Sequence, residues 1–504
     1  MNEAKRLWIA GFCAFLFFRI RVTAFSDVSN QFYFHWQWTD GVAILGLVAM
    51  SGLFLRVGHF VGSATGRWGR FAADLFFVAF ATFYLKVAFL EVWYPDGIIP
   101  ASASILTKYL VVLLVGVACF YRLKVVRWVS ATCLILSPIL VIFAGRLLMA
   151  ESPWPSDRMQ ADSGVEAVRS GYADRVVWIC LDGCSYERMF PDGSTSAPIP
   201  ASINRLASVS HVFHRAYSPA DKTFFSIPQI LAGMNGTVVM NGNSGLSIGT
   251  SDGSVPFAVA PTVFRVMKQR GFQTRWYGYY LPAELFAGPD VDVVHSVCAF
   301  KPLGRSLTSV GTQLLLQTMA TRLGRFIPAF HQFNVRVQAQ HAAAYDGWIQ
   351  RMAVETAQRA ENEFVFLHYR TPHEPFIHDR NGWFADPAVF REPSVEAYEG
   401  AMAQVDRALD QVFDQLDLEA KGQRTMLVVF ADHTFREDPD LPLRPDPMRN
   451  RRVPFFIHLP GQTNRVDISR PVELTDLVSW SRQFMDTGEC VWTNTKDDNH
   501  EEQR

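Results

Sequence analysis

Five apolar runs crowded into the first 150 residues constrain this chain more than any other feature: roughly 7–25, 40–56, 73–93, 107–122 and 126–148. Each approaches the ~20 residues an α-helix needs to cross a hydrocarbon core of ~30 Å. Buried core helices of a water-soluble protein are the plainer alternative. Five such runs in one block, with short connectors, favour a five-span helical membrane bundle over residues 1–148. No small-residue cleavage site ends the first run and four more follow it, so it does not read as a signal peptide.

Lysine and arginine then set the orientation. With the N-terminus in the cytoplasm, the inner segments hold Lys5, Arg6, Arg56, Arg67, Arg70, Arg122, Lys124 and Arg127, and the outer connectors only Arg19, Arg21 and Lys108. An odd number of spans places everything after about residue 150 on the outer side. Within the spans, Asp74, Lys86 and Glu91 are costly against lipid; they snorkel, pair, or line a groove for a headgroup, and snorkelling is the simplest of the three.

The formal net charge of −1 over 504 residues hides a division between this apolar block and an ordinary globular composition after it. No basic surplus marks a nucleic-acid binder, so none is expected as a partner. The seven cysteines form no C-x-x-C pair. Cys13, Cys119 and Cys133 sit in apolar runs as small hydrophobes. Cys184 and Cys298 would suit a disulfide in an oxidising compartment, but connectivity is not legible from sequence.

Residues 149–174 are polar, with scattered Pro, Ser and Gly, and read as a linker. A globular domain follows over 175–490, then a charged, aperiodic tail over 491–504 that is expected to be disordered. In the globular part, strand-like runs at 175–183, 272–280, 363–369, 425–433 and 453–461 alternate with helix-like runs at 200–208, 261–271, 308–325, 341–360 and 397–422. Continuous apolar strands separated by helices predict an α/β domain with a mostly parallel central sheet covered on both faces.

Chemistry in such sheets gathers at the carboxyl ends of the strands. Those ends deliver Asp182, His373, and the pair Asp432 and His433. Carboxylates and imidazole are ligands suited to a divalent metal. Singly, each has a plainer reading: Asp-Gly after a strand is usually a turn, and a lone histidine is usually structural.

Five segments in fixed order carry more than any one of them: VVWICLDGCSYERM, PASINRLASVSHVFHRAYSPADKTFFSIPQILAGM, RTPHEPF, VVFADHTFRED and VPFFIHLPG. Together they resemble the alkaline phosphatase superfamily, in its sulfatase-like branch. Sulfatases place Cys-x-Pro-Ser-Arg ten residues before the glycine of a Leu-x-x-Gly turn. Ten residues before Gly233 stands Thr223, so the cysteine nucleophile is absent. Thr223-Phe-Phe-Ser226-Ile-Pro228 instead resembles the Thr-x-x-Ser-x-Pro pattern of the lipid A phosphoethanolamine transferases. Lipoteichoic acid synthases, with five spans and an outward catalytic domain, also use a threonine here.

The resemblance implies a set of roles. Thr223 is the nucleophile, and Asp182, Thr223, Asp432 and His433 hold one divalent metal, zinc or manganese ahead of magnesium or calcium. His373 is a catalytic, substrate-facing histidine, with Lys222 and His368 as further phosphate contacts. Position 182 is usually Glu in the phosphoethanolamine transferases, the stretch TFREDPDLPLRPDPMRN lacks their His-Gly-rich segment, and their extra cysteine pairs are also missing. The implied activity is transfer of phosphoethanolamine or phosphoglycerol from a phospholipid donor to an envelope glycan or lipid acceptor, at the inner membrane of a bacterium. A phosphodiesterase or sulfatase-type hydrolase of the same fold is the second reading. An inactive scaffold or sensor is the third, and the complete Asp182, Thr223, Asp432 and His433 set speaks against it.

Overall fold

A computed structural model describes residues 172–191, 200–240, 246–251, 253–281, 283–297, 328–359, 362–385, 394–416, 424–436 and 451–490. In the first 150 residues it describes 64–78, 124–135 and scattered shorter pieces. The chain divides into two compact units, Met1–Pro153 with Pro302–His331, and Trp154–Lys301 with Gln332–Arg504.

In the first unit, residues 64–78 and 124–135 are almost wholly helical. Val78 and Val125 are buried, with Leu75, Phe77, Val117, Val126 and Val129 packed around them. Leu53, Phe60, Trp68, Phe76, Trp128 and Ile135 stand exposed. The five expected spans fall largely outside the described residues, and among the described residues no helix is long and apolar enough to cross a membrane. The expected helix at 308–325, most of the linker and the tail also lie outside them.

The second unit is built on a nine-stranded sheet. Its strands are β1 (Arg175–Leu181), β2 (His211–Tyr217), β6 (Gln273–Tyr279), β7 (Val293–Val297), β8 (Glu363–Tyr369), β9 (Thr425–Ala431), β10 (Arg452–His458), β11 (Val466–Ile468) and β12 (Val472–Glu473). The order is β11-β2-β10-β9-β1-β8-β6-β7, with β12 also on β2. Only β10 runs antiparallel to its neighbours β2 and β9. A separate antiparallel sheet joins β3 (Thr237–Met240), β4 (Leu246–Thr250) and β5 (Gly253–Pro256).

The central strands explain the layering. Every residue of β1, β8 and β9 is buried, as a sheet covered on both faces requires. Trp178 of β1 meets Phe364 and Phe430 of its two neighbours edge-on, at ring separations of 5.5 and 6.1 Å. Such pairs add to the area term of burial. The helices are α1 (Tyr186–Met189), α2 (Ala201–Ser208), α3 (Thr223–Ala232), α4 (Val263–Lys268), α5 (Pro328–Gln358), α6 (Val395–Leu416) and α7 (Leu477–Thr487). In α6, Ala397, Ala401, Val405, Leu409, Val412 and Leu416 recur at helical spacing and form its buried stripe.

Most sequence expectations fall on these elements. The expected strands at 175–183, 272–280, 363–369, 425–433 and 453–461 correspond to β1, β6, β8, β9 and β10. The polar tips Asp182-Gly183 and Asp432-His433 lie beyond the ladders rather than in them. The helix expected at 341–360 begins earlier, at Pro328. Strand β2 was not foreseen, because HVFHRAY carries two histidines and an arginine. His214 is nonetheless buried there, its ring satisfied by the Tyr186 hydroxyl at 2.8 Å and Asp467 at 2.7 Å.

Candidate active site

Register places the site before any side chain is considered. Leu181, the last residue of β1, lies opposite Tyr369 of β8 and Ala431 of β9. The next residues, Asp182, Arg370 and Asp432, therefore leave the carboxyl edge of the sheet abreast of one another. The Asp182 N–H donates to the Tyr369 carbonyl at 3.0 Å.

Gly183 makes the close approach feasible. Its φ is +70°, and a Cβ there would lie 3.1 Å from His373 Cδ2 and 3.4 Å from His433 Cε1. Its N–H donates to Asp432 Oδ1 at 3.2 Å. The Asp-Gly pair is a turn, as the plainer reading has it, and also the gap into which two imidazoles close.

Thr223 is the first residue of α3. The Lys222 carbonyl takes the N–H groups of Phe225 and Ser226, so Thr223 opens the helix at its N-terminal end, where a helix favours an anion. Gly233 caps the other end in the left-handed region, φ +62°, and a Cβ there would come within 2.9 Å of Val478. The ten-residue count from nucleophile position to glycine is thus the length of one helix.

These elements converge. Thr223 Oγ1 lies 3.3 Å from Asp182 Oδ1 and 3.3 Å from His433 Nε2, and His433 Nε2 lies 3.2 Å from Asp182 Oδ1. Asp432 Oδ2 is 3.8 Å from His433 Nε2. Asp182, Thr223, Asp432 and His433 are all buried. His433 Nδ1–H donates to the Thr434 carbonyl at 2.8 Å, which leaves Nε2 directed at the cluster.

The electrostatics are those of a pocket short of positive charge. Burial would raise the Asp182 carboxyl, but His373, and then hydrogen bonds from His368 and His433, hold it well below its ordinary value. Burial disfavours a charged His433, yet Asp432 and then Asp182 push its pKa up to about 9. Asp432 Oδ2 is buried and has no hydrogen-bond partner. Two carboxylates, a hydroxyl and an imidazole around one point, one oxygen of them unsatisfied, fit a divalent cation.

His373, half-buried in the loop after β8, contributes a ring nitrogen within 4.8 Å of donor atoms on Asp182 and His433. It therefore stands at the edge of the ligand cluster. Its Nδ1–H donates to the Glu374 carbonyl at 3.0 Å, and its Nε2 accepts from Arg436 Nη2 at 3.2 Å. His368 takes the other side of Asp182 from His433. It is buried behind Asp182, Nε2 to Oδ2 at 3.5 Å, with Nδ1 donating to the Tyr279 carbonyl at 3.1 Å. Lys222 stands exposed at the N-cap of α3, outside the cluster.

Two arginines escaped sequence reasoning. Arg436 follows the Asp-His pair and supplies a guanidinium to His373. Arg370 is fully buried and donates to the carbonyls of His373 at 2.9 Å and Pro375 at 3.0 Å. Its charge is met by Asp346 of α5, Nη2 to Oδ2 at 2.5 Å. The position of Arg370, one residue beyond an apolar strand and abreast of Asp182, was the available signal. Cys184 is a free buried thiol, pushed up to about 12 by burial above all, with its sulfur 3.9 Å from that of Met402. Cys298 lies outside the described residues.

Solved structures give fold-level likenesses. An i-CgsB structure bound to k-i-k-neocarrahexaose is 16% identical, covering 63% of this chain and 72% of that one, with a TM-score of 0.42. A phosphonate monoester hydrolase of Agrobacterium radiobacter is 12% identical, covering 62% and 74%, TM-score 0.40. The lipoteichoic acid synthase LtaP from Listeria monocytogenes is 13% identical, covering 64% and 74%, TM-score 0.37. No curated protein matches the chain. The family profile described as Sulfatase matches residues 174–480, well over half of the sequence, and the chain belongs to that family, within the alkaline phosphatase superfamily.

Proposed function

We propose that this chain transfers a phosphoethanolamine or phosphoglycerol headgroup from a membrane phospholipid to a cell-envelope lipid or glycan. The reaction takes place on the outer face of the cytoplasmic membrane of a bacterium, with Thr223 as nucleophile. The observation that carries this reading is the Thr223 hydroxyl, at a helix N-terminus and 3.3 Å from both Asp182 Oδ1 and His433 Nε2.

Asp182, Thr223, Asp432 and His433 would hold the divalent metal, which when bound supplies positive charge against the phosphoryl oxygens and favours the ionised hydroxyl. In the first step the Thr223 oxygen forms a bond to phosphorus and the bond from phosphorus to the lipid oxygen breaks. The Thr223 proton ends on that departing oxygen. In the second step an acceptor hydroxyl forms the new bond to phosphorus, the bond to Thr223 breaks, and the acceptor's proton returns to Thr223. His373 suits the proton's passage, because Nδ1 is tied to a carbonyl and Nε2, beside the Arg436 guanidinium, is the nitrogen left to exchange a proton. The N-terminal end of α3 suits the negative charge that develops.

Membrane attachment is supported by the five apolar runs and by the exposed apolar side chains at Leu53, Phe60, Trp68, Phe76, Trp128 and Ile135. A lipid donor gives such an anchor a use. Threonine at position 223 speaks against a sulfatase. The test is incubation of the full chain in vesicles with headgroup-labelled phospholipid and envelope extract, followed by mass spectrometry. Label on Thr223 and then on an acceptor supports transfer. Free headgroup without acceptor modification assigns a phosphodiesterase, and no turnover would leave a scaffold.

A further inference from the structure

Beyond His373 the chain folds back on itself as a tight hairpin from Ile377 to Ala385. His378 and Phe384 form an antiparallel bridge, and the Ala385 N–H donates to the Ile377 carbonyl at 2.8 Å. Asp379 closes the turn, its Oδ1 accepting from the N–H groups of Asn381 and Trp383, each at 2.9 Å. Gly382 has a φ of +71°, and a Cβ there would overlap the backbone of α6 at Ala403 and Gln404. A Cβ on Gly400 of α6 would come within 2.6 Å of the Asp379 carbonyl. Hairpin and helix therefore meet backbone to backbone.

This rigid mount holds two aromatic rings in the open. Trp383 is 63% exposed and Phe384 45%, the one adjacent pair of exposed aromatics among the described residues of the second unit. Arg407 of α6 covers one face of Trp383, its guanidinium carbon 3.7 Å from the ring centroid, and donates to the Gly382 carbonyl. Single exposed apolar side chains are ordinary; a fixed pair backed by a cation marks a contact surface. The hairpin belongs to the carboxyl edge of the sheet. Phe376, just before it, meets Phe435 edge-on at 5.8 Å, and Phe435, two residues after His433, stacks on Tyr398 of α6 at 4.4 Å. Phe224 and Phe225, next to Thr223, are themselves only half-buried.

We propose that the Trp383–Phe384 hairpin seats in the headgroup layer of a phospholipid bilayer and turns the carboxyl edge of the sheet toward it, an inference that rests on the lipid-donor reading. The phosphate of a phospholipid stays at the membrane surface. Thr223 is buried beyond the strand ends, so it meets that phosphate only when the carboxyl edge faces the bilayer, and the rings exposed on that edge then meet lipid. Tryptophan with a cation behind it and phenylalanine beside it suit this boundary, where a ring's apolar body is buried and charge stays near water. Lipid against the outer face also removes water from the Trp383–Arg407 pair, which strengthens it. A sugar acceptor would need free hydroxyl-binding groups around the ring. Here Asp379 Oδ1 is taken by its own turn, Arg380 is paired with Glu396 at 3.0 Å, and Phe384 offers no polar atom.

Photo-crosslinking tests it. The full chain, with p-benzoylphenylalanine in place of Trp383 or of Phe384, is reconstituted in vesicles of phosphatidylethanolamine and phosphatidylglycerol, supplied with envelope glycan extract and irradiated. Peptide mass spectrometry should find a phospholipid attached at both positions, and none when the probe replaces Tyr172, an exposed ring ahead of β1 at the amino edge. A glycan adduct in place of lipid, equal lipid labelling at Tyr172, or no adduct at the hairpin overturns the proposal. Should one hairpin substitution fail to fold, the other decides. The adduct is read without turnover, so it can stand where headgroup transfer fails; transfer without the adduct removes the hairpin's role alone.

Discussion

Thr223 and His433, 210 residues apart in sequence, meet Oγ1 to Nε2 at 3.3 Å inside the folded domain. If that hydroxyl is the nucleophile, Thr223→Ala lowers turnover by at least ~10³-fold, as removal of a covalent nucleophile does. Thr223→Ser keeps measurable activity. Peptide mass spectrometry after incubation with lipid shows a phosphorylated peptide in the parent and serine chains and none in the alanine chain. A phosphorylated peptide in Thr223→Ala sinks the assignment.

Gly183→Ala combines two costs. The left-handed backbone disfavours a Cβ by ~1–2 kcal/mol. The new methyl also meets His373 and His433 at 3.1 and 3.4 Å. The expected result is a lower Tm together with metal lost more readily to a chelator. A change in Tm alone would mean that the imidazoles do not depend on this gap.

Metal binding should release a proton. In the metal-free pocket His433 is protonated at neutral pH, its pKa pushed up to about 9, against burial, by Asp432 and then Asp182. Ligation through Nε2 expels that proton, so affinity rises with pH up to about 9 and then levels. Calorimetry at pH 7.5 in buffers of different ionisation heat should report roughly one proton released for the His433 site. No buffer dependence would exclude His433 as a ligand.

Asp346 and Arg370 form a buried pair whose halves do not tolerate separation. Asp346→Leu leaves the Arg370 guanidinium buried and unmatched, a loss of ~3–5 kcal/mol. Replacing both, Asp346→Leu with Arg370→Met, should recover part of it in urea unfolding. The same double variant should still turn over poorly, because the carbonyls of His373 and Pro375 lose their donor. Full activity in the double variant would show that Arg370 does not position the loop.

His378 gives the fold an acid sensitivity apart from the metal cluster. Its ring is 3.6 Å from Asp346, but Arg370 already takes that carboxylate, and burial, then Arg370 and Arg407, push its pKa down to about 3. The folded state therefore binds fewer protons than the unfolded chain below about 6.5. The stability this provides is present above that pH and is lost as pH falls toward 3. Between pH 7 and pH 5 the parent chain should lose ~2 kcal/mol more than His378→Gln in urea titrations. Equal losses would place the sensitivity elsewhere.

The sequence showed the central strands because burial on both faces removes any need for alternation: RVVWICL, EFVFLHY and TMLVVFA are apolar almost throughout. It showed Asp182, Asp432 and His433 because polar residues at the end of such runs are conspicuous. It concealed Arg370 and Asp346, whose meaning lies in each other across 24 residues, and Arg436, whose partner is 63 residues away. For His368, sequence gives proximity to a strand end but not which side of Asp182 the ring occupies.

The all-buried trio β8, β1 and β9 carries one further consequence. Three neighbouring strands locked in register cannot shift singly, so the Asp182 and Asp432 positions are inherited as a unit and resist drift. The polar segments beyond those strand ends are under no such restraint. A lineage can therefore change what is bound there by rewriting those segments while the reactive centre stays as it was, which accounts for one architecture serving many substrates.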